Sequence, residues 1–187
     1  GMSVSAIKNR LLFAAGAVGI NILIGTGIAW INVRSNLRCR KILDTAAMIP
    51  LAVPGLVMAF GYISVSSTIC TSELVKSSEL LQEMLDVRKN PSLFLIIAYA
   101  VRRIPYMVRA VTAGLQQTPP ALEEAAANLG ASPLMVIRRV TLPLIFANII
   151  AGALLVFAFS MLEVSDSLML AQKAQYYPVT KAIFEMF

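Results

Sequence analysis

The chain contains 187 residues, of which 58% are hydrophobic and only 14% are charged. A water-soluble domain of this size must cover its surface with charged and polar side chains, and too few are present here. The composition therefore argues against a soluble domain and predicts a protein embedded in a lipid bilayer.

The formal net charge of +6 would indicate nucleic-acid binding in a soluble protein. Here, however, most basic residues form short clusters beside apolar stretches, as in the cytoplasmic loops of membrane proteins. These clusters are Arg34, Arg38, Arg40 and Lys41, then Arg102, Arg103 and Arg109, then Arg138 and Arg139. The charge therefore indicates membrane topology, and we expect no nucleic-acid partner.

Four apolar stretches are predicted to cross the membrane, because about 20 residues of helix span a hydrocarbon core of about 30 Å. Their approximate bounds are residues 11–31, 45–66, 91–111 and 141–162. The second stretch contains Pro50, Pro54 and Gly55, which predict a kinked or broken helix that faces protein or a pore. These three residues are candidates for a path through the membrane.

Loop charges predict how the spans are oriented. Residues 32–44 and 112–139 are expected on the cytoplasmic side, because both carry basic clusters. The acidic segment 66–91 and the tail beyond residue 162 are expected outside.

This orientation starts the N-terminus outside, although Lys8 and Arg10 are basic. The simplest expectation is that a further span precedes the chain. The apolar residues 182–187 likewise predict the start of another span.

The segment between the third and fourth spans predicts a helix, a turn and a second helix. Thr118 caps a first helix that begins at Pro119, and Glu123 and Glu124 favour its positive N-terminal end. Gly130 supplies the left-handed backbone that ends this helix.

Ser132 caps the second helix with Pro133 in its first position, and the helix continues to Pro143 at the start of the fourth span. Two short helices that meet at a glycine form a rigid elbow, which we define as residues 116–143. These residues alone are as compatible with a solvated connector as with a functional segment.

One motif in the elbow resembles a known pattern. Glu124-Ala125-Ala126 is followed after three residues by Gly130 and, nine residues later, by Val140-x-Leu142-Pro143. This resembles the cytoplasmic EAA loop of permease subunits of binding-protein-dependent ABC importers, with valine in place of isoleucine. The resemblance implies an all-α, type I permease domain over residues 1–187, a polytopic transmembrane helical bundle with a cytoplasmic coupling helix-turn-helix.

The resemblance also implies that the elbow docks in a groove of a separate ABC ATPase subunit, which binds ATP and Mg. The residues assigned to this coupling are Glu123, Glu124, Ala125, Ala126, Leu129, Gly130 and Pro143. Further implied partners are a second permease subunit or homologous half, an external solute-binding protein and membrane lipid. The implied location is the bacterial cytoplasmic (inner) membrane, which the chain crosses several times.

Three further stretches resemble the iron(III)-type branch of these permeases, namely residues 50–55, 100–109 and 160–170. This likeness implies ferric iron as the substrate, with phosphonate, a polyamine or another small solute as alternatives. Glycines usually flank the glutamate that corresponds to Glu163 in that branch, and Leu162 and Ser165 replace them here.

Arg102, Arg109 and Glu163 are further candidates for the path or its gate. Arg102 and Arg109 lie seven residues apart and therefore share one helix face. They either line the inner half of the path, brace the elbow through one of its glutamates, or reach the cytoplasmic headgroups. Glu163 either forms an external gate or docking point, or marks the water boundary.

We expect the chain not to be an enzyme. It lacks the Gly-x-x-x-x-Gly-Lys-Ser/Thr loop that binds nucleotide phosphates, and without histidine it cannot form a Ser/His or Cys/His pair. Two cysteines and no histidine cannot build a transition-metal site of the usual N/S kind, so we expect no metal or cofactor on this chain. The alternative from another functional class is a membrane scaffold or assembly protein without a transport path.

Overall fold

The computed structural model describes residues 2–184, and every regular element in that range is helical, as predicted. The helices are α1 (Met2–Arg34), α2 (Arg40–Ala52), α3 (Gly55–Cys70), α4 (Glu73–Lys76), α5 (Glu79–Leu85), α6 (Ser92–Gln117), α7 (Pro120–Asn128), α8 (Pro133–Val136), α9 (Leu142–Met161), α10 (Ser165–Leu170) and α11 (Val179–Phe184). A π-helical turn, Ile137–Thr141, joins α8 to α9, and a 3-10 turn, Ala174–Tyr176, precedes α11.

Helix α6 packs against both α1 and α9 and forms the centre of the bundle. Its fully buried side chains recur at helical spacing and include Leu95, Tyr99, Met107, Val111 and Leu115. Helix α1 meets this face with buried alanines at positions 17 and 29. Such short side chains let two helix backbones approach closely, which is how helices pack in membranes.

Two segments within the described residues are long and apolar enough to cross a membrane, Val4–Arg34 and Pro133–Met161. Helices α2 and α3 pass the same test as a pair, which forms a broken span or re-entrant loop bent by 107°. Helix α6 contains the third predicted span but is not among the segments that pass, and its crossing of the membrane stays a prediction.

The predicted break in the second span is confirmed at Val53 and Pro54, whose ψ angles of 128° and 139° are extended. Proline lacks the N–H that would continue the helix and disfavours helical backbone in the residue before it. Pro50 is buried inside α2, whereas Pro54 is exposed at the break. Gly55 begins α3 in close contact with the side chain of Arg102.

The start predicted for the helix after Thr118 is wrong by one residue. Pro119 is extended, with ψ at 129°, and α7 begins at Pro120. The reason is local, because a residue that precedes proline is pushed out of helical backbone. Thr118 instead donates its hydroxyl to the carbonyl oxygen of Gly114 at 3.0 Å and ends α6.

The tail beyond residue 162 folds back onto the bundle. Helix α10 packs against α3 and α6, and its Asp166 and Ser167 are fully buried. The alternative in which Glu163 marks the water boundary is therefore wrong, because this side chain is also buried. Residues 185–187, which belong to the apolar stretch that predicts another span, lie outside the described residues.

Helix packing predicts different outcomes for two glycines of α1. A Cβ atom on Gly25 would lie 2.6 Å from Cγ and 2.8 Å from Cβ of Met107, whereas one on Gly19 would meet nothing within 4 Å. Gly25→Ala should therefore destabilise the protein by about 1–3 kcal/mol, as overpacking of a core does. Gly19→Ala is the matched control and should leave stability unchanged or raise it by up to about 1 kcal/mol through helix propensity.

Thermal unfolding of the purified protein in detergent measures both changes. Equal stability of the two variants would contradict the close approach of α1 and α6.

Candidate functional site

The elbow has the turn geometry that the sequence predicts. Gly130 has φ at +88°, and within residues 2–184 no other residue has positive φ. The N–H groups of Gly130 and Ala131 bond to the carbonyls of Ala127 and Ala126, which closes the end of α7. Ser132 then caps α8, since its hydroxyl oxygen accepts from the N–H of Met135 at 3.4 Å.

The elbow is fixed to the bundle through Glu123. One carboxylate oxygen of Glu123 accepts from Nε of Arg34 at 3.0 Å and from the hydroxyl of Thr141 at 3.1 Å. Arg34 also donates to the carbonyl oxygen of Thr118 at 2.8 Å. Both charged side chains are less than one-fifth exposed, so water weakens the pair little. These bonds tie α7 to the end of α1 and to the start of α9.

A π-helical turn within the elbow joins α8 to α9. Pro143 has no N–H to give to the carbonyl four residues earlier, so the usual helical hydrogen bond cannot form there. The N–H of Leu142 bonds instead to the carbonyl of Ile137, five residues earlier. The helical path from α8 into α9 is thus unbroken, and Pro143 lies exposed in the first turn of α9.

The outer face of the elbow is apolar and unoccupied by other parts of the described chain. Leu129 is 90% exposed and Leu134 is 74% exposed, and Leu122 and Met135 lie nearby in sequence with more than 40% exposure. Glu124 is also exposed, as is Ala125, whereas Ala126 is half-buried. Large apolar side chains exposed among polar ones mark a surface that another protein or a membrane covers.

A second arrangement, the buried ionic cluster, consists of Arg10, Arg102, Arg103, Glu163 and Asp166. It lies where α9 ends and α10 begins. Arg103 Nη2 pairs with Oε2 of Glu163 at 2.5 Å. Nε of Arg102 lies 3.6 Å from Oε2 of Glu163 and 3.7 Å from Oδ2 of Asp166.

Arg10 completes this cluster from α1 and is fully buried. Its guanidinium donates to the carbonyl oxygens of Met161 and Glu163 and to the hydroxyl of Tyr99. Carbonyls at the end of a helix lack helical partners and carry partial negative charge. Arg10 therefore caps the C-terminal end of α9, and Arg103 adds a bond to the carbonyl of Phe159 at 3.0 Å.

Comparison with known proteins identifies the family. A family profile described as "Binding-protein-dependent transport system inner membrane component" matches residues 21–186. The chain belongs to this family. The permease fold inferred from the EAA-like motif is therefore confirmed, and the long apolar helices are those of an inner-membrane protein.

Individual permeases resemble this one at moderate identity. The sulfate transport system permease protein CysT of Salmonella typhimurium is 32% identical over 161 residues, which are 86% of this chain and 56% of that protein. The molybdenum transport system permease protein ModB of Escherichia coli is 31% identical over 162 residues, which are 84% of this chain and 67% of that protein. The ferric transport system permease protein FbpB of Actinobacillus pleuropneumoniae is 27% identical over 160 residues, or 21% of its length.

This permease chain spans only about 60% of the length of the sulfate permeases that it matches. The fold also resembles a crystal structure of an amino acid ABC transporter with histidines, with a TM-score of 0.62 over 99% of this chain and 77% of that one. The sequence identity there is 20%, so this likeness concerns the fold alone.

The structure separates the charged candidates that the sequence groups together. Arg102 neither reaches the headgroups nor braces the elbow, because it is buried beside Asp166 and Glu163. Arg109 is 58% exposed and pairs with Asp44 at 3.3 Å. The residue that braces the elbow is Arg34, whose place in a basic cluster of the sequence indicated only membrane topology.

Neutralising Glu123 in this permease should release the elbow. Glu123→Gln removes a half-buried charged hydrogen bond and should lower stability by about 1.5–3 kcal/mol. Glu124→Gln changes the neighbouring exposed carboxylate and serves as the matched control, with a change within about 0.5 kcal/mol. Chemical denaturation of the detergent-solubilised protein measures both, and equal losses would contradict the bracing role of Glu123.

Removing the Arg10 cap from α9 should lower the stability more than Glu123→Gln does. Arg10→Gln leaves carbonyls at the end of α9 without donors and unbalances the ionic cluster, so we expect a loss of about 3 kcal/mol or more. Lys8→Gln removes the same charge from an exposed position of α1 and should be close to neutral. The unfolding midpoint of each variant measures the difference, and a tolerated Arg10→Gln would contradict the capping.

Proposed function

We propose that this chain is the permease subunit of an ABC-type importer and that its elbow receives the motion of a separate ATPase subunit. The observation that carries this proposal is a set of exposed apolar side chains, Leu122, Leu129, Leu134 and Met135, on a segment braced to the bundle by Glu123. We call this set the elbow ridge. A docking surface that is rigidly held can transmit force, whereas a loose connector would absorb it.

Covalent and hydrogen bonds connect the elbow to two long helices. Glu123 connects α7 to α1 through Arg34, and the π-helical turn continues α8 into α9. Both helices pack on α6, whose Arg102 contacts Gly55 at the break between α2 and α3. A displacement of the elbow would thus tilt α1 and α9. Through α6 this movement would be transmitted to the break between α2 and α3, where Pro50, Pro54 and Gly55 are the proposed path residues.

Other components follow from this role. ATP and Mg belong to the ATPase subunit, a second permease subunit or homologous half completes the path, and an external solute-binding protein delivers the solute. The proposed site is the bacterial cytoplasmic membrane. The rival function, a scaffold without a path, would leave the elbow ridge without an ATPase partner.

We propose an inorganic oxyanion as the substrate class. Two relatives that are at least 30% identical are named sulfate and molybdenum permeases. Ferric iron, which the sequence motifs favour, is the second candidate, since a ferric permease is 27% identical over 86% of this chain. Uptake of labelled sulfate, molybdate and ferric iron by cells that express the intact transporter separates the candidates, and uptake of ferric iron alone would contradict the oxyanion proposal.

A charge placed on the elbow ridge should detach the ATPase. Leu129→Asp puts a carboxylate where an apolar contact is proposed, and we expect at least tenfold weaker co-purification of the ATPase with the permease. Leu80→Asp is the matched control, because Leu80 is 74% exposed on α5, on the side predicted to face outwards. It should leave ATPase binding unchanged.

The same pull-down distinguishes the rival function. Full ATPase recovery with Leu129→Asp, or failure of the wild-type permease to retain any ATPase, would contradict the proposed docking role.

A further inference from the structure

A polar cavity of about 460 Å³ lies between the end of α1, the start of α2 and the later part of α6. Three basic side chains line it, Arg40, Lys41 and Arg109, together with a single carboxylate, Asp44. The lining therefore carries an excess of positive charge. Its place beside the basic segment 32–44 puts it on the predicted cytoplasmic side.

The single carboxylate of this cavity is already engaged. Asp44 accepts from Nδ2 of Asn32 at 3.0 Å and from Nη2 of Arg109 at 3.3 Å. Arg40 donates to the carbonyl oxygen of Ser35, and among the described residues neither Arg40 nor Lys41 has a carboxylate within 4.0 Å. Two cations thus face the cavity without a protein counter-charge.

Two residues that line the cavity each carry a polar atom without a partner among residues 2–184. Oδ1 of Asn32 and the hydroxyl of Thr112 are shielded from solvent and make no hydrogen bond within the described chain. Shielded polar atoms are usually satisfied by a ligand or ordered water when protein groups do not reach them. Oδ1 of Asn32 can only accept a hydrogen bond, whereas the Thr112 hydroxyl can donate one. The preference for a negatively charged group therefore comes from Arg40 and Lys41, which have no carboxylate partner in the part of the chain that the structure describes.

An apolar groove of about 310 Å³ continues from this cavity along α2 and shares Lys41 and Thr45 with it. The floor of the groove is formed by Ile42, Ala46 and Ile49, which lie on one face of the helix. Ile42 is 70% exposed, so the groove is open on the outside of the bundle. An apolar ligand segment could lie along it.

We propose that the cavity and the groove together bind one anionic phospholipid of the cytoplasmic leaflet. Its phosphate lies among Arg40, Lys41 and Arg109, and one acyl chain lies along Ile42 and Ile49. The cytoplasmic leaflet contains anionic lipids, and basic pockets between transmembrane helices on that side hold their headgroups. A free phosphate would use only the cavity, whereas the phosphate of a zwitterionic lipid carries its own choline cation and would compensate the two basic side chains less well than an anionic lipid does.

The lipid would act close to the elbow. Asn32 and Val33 line the cavity and directly precede Arg34, the residue that braces Glu123. The bound headgroup would join α2, α1 and α6 at the same end of the bundle. The consequence is a permease that is more stable in anionic lipid than in neutral lipid.

Native mass spectrometry and thermal unfolding of the purified permease–ATPase complex test this inference. The probes are dioleoyl phosphatidylglycerol, dioleoyl phosphatidylcholine and inorganic phosphate, added to the delipidated complex. We expect phosphatidylglycerol alone to remain bound as a discrete adduct and to raise the unfolding temperature. Phosphatidylcholine and phosphate should do neither at the same concentration.

Two pairs of variants locate the site. Lys41→Gln should weaken phosphatidylglycerol binding about fivefold, as expected for one basic residue near an anionic headgroup, whereas Arg38→Gln removes the same charge from the same loop outside the cavity. Ile49→Gln should weaken phosphatidylglycerol binding because it places a polar side chain in the apolar groove. Leu51→Gln changes an exposed residue that does not line the groove. Both controls should bind like wild type.

Each alternative outcome overturns the inference. Equal binding of both lipids would exclude a headgroup site, and full stabilisation by inorganic phosphate would assign the cavity to a free anion. Unchanged phosphatidylglycerol binding in both Lys41→Gln and Ile49→Gln would move the lipid elsewhere on the protein. A loss of binding in Lys41→Gln that Arg38→Gln matches would reduce the effect to general surface charge.

Discussion

The ion pair between Arg34 and Glu123 holds the elbow to the bundle, and the proposed coupling to an ATPase depends on it. An elbow of two short helices has little core of its own, and α7 buries no side chain completely. Without an anchor, the elbow would follow the motion of an attached ATPase subunit without moving the bundle. A single carboxylate oxygen of Glu123 binds Arg34 at the end of α1 and Thr141 directly before α9, and so ties α7 to both long apolar helices.

A second constraint operates at the other end of the same bundle. Two of the arginines of α6 face protein, where an unpaired charge is costly. They are accommodated because the chain after α9 turns back and brings Glu163 and Asp166 to meet them. Arg10 then supplies donors to the carbonyls that the end of α9 leaves open. The bundle is thus locked at one end by this cluster and at the other by the elbow brace.

The buried ionic cluster and the elbow brace stabilise the bundle against which the broken pair α2 and α3 packs. The pair is bent at Pro54, and α10 packs directly against α3. Because Gly55 lies against Arg102, a displacement of α6 would also displace the break between α2 and α3. The bend between α2 and α3 thus lies in direct contact with α6 and α10.

Local features of this fold could be predicted from sequence, and long-range partners could not. The left-handed Gly130 and the capping Ser132 follow from rules that act within one helical turn. The one-residue error at Thr118 arose because two successive prolines compete for the first position of α7. Arg10 and Arg34, in contrast, look like ordinary loop charges, since their partners lie more than 80 residues away.

The central claim is that the elbow and α1 move as one body, and a distance measurement tests it most directly. Spin labels at the exposed positions Asn36, two residues after α1, and Asn128, at the end of α7, report the separation of these two helix ends in the assembled transporter, with Cys39 and Cys70 replaced by serine. We predict the same narrow distance distribution with and without ATP, and a broader one in Glu123→Gln. A nucleotide-dependent shift of that distance in the otherwise wild-type protein would contradict the account.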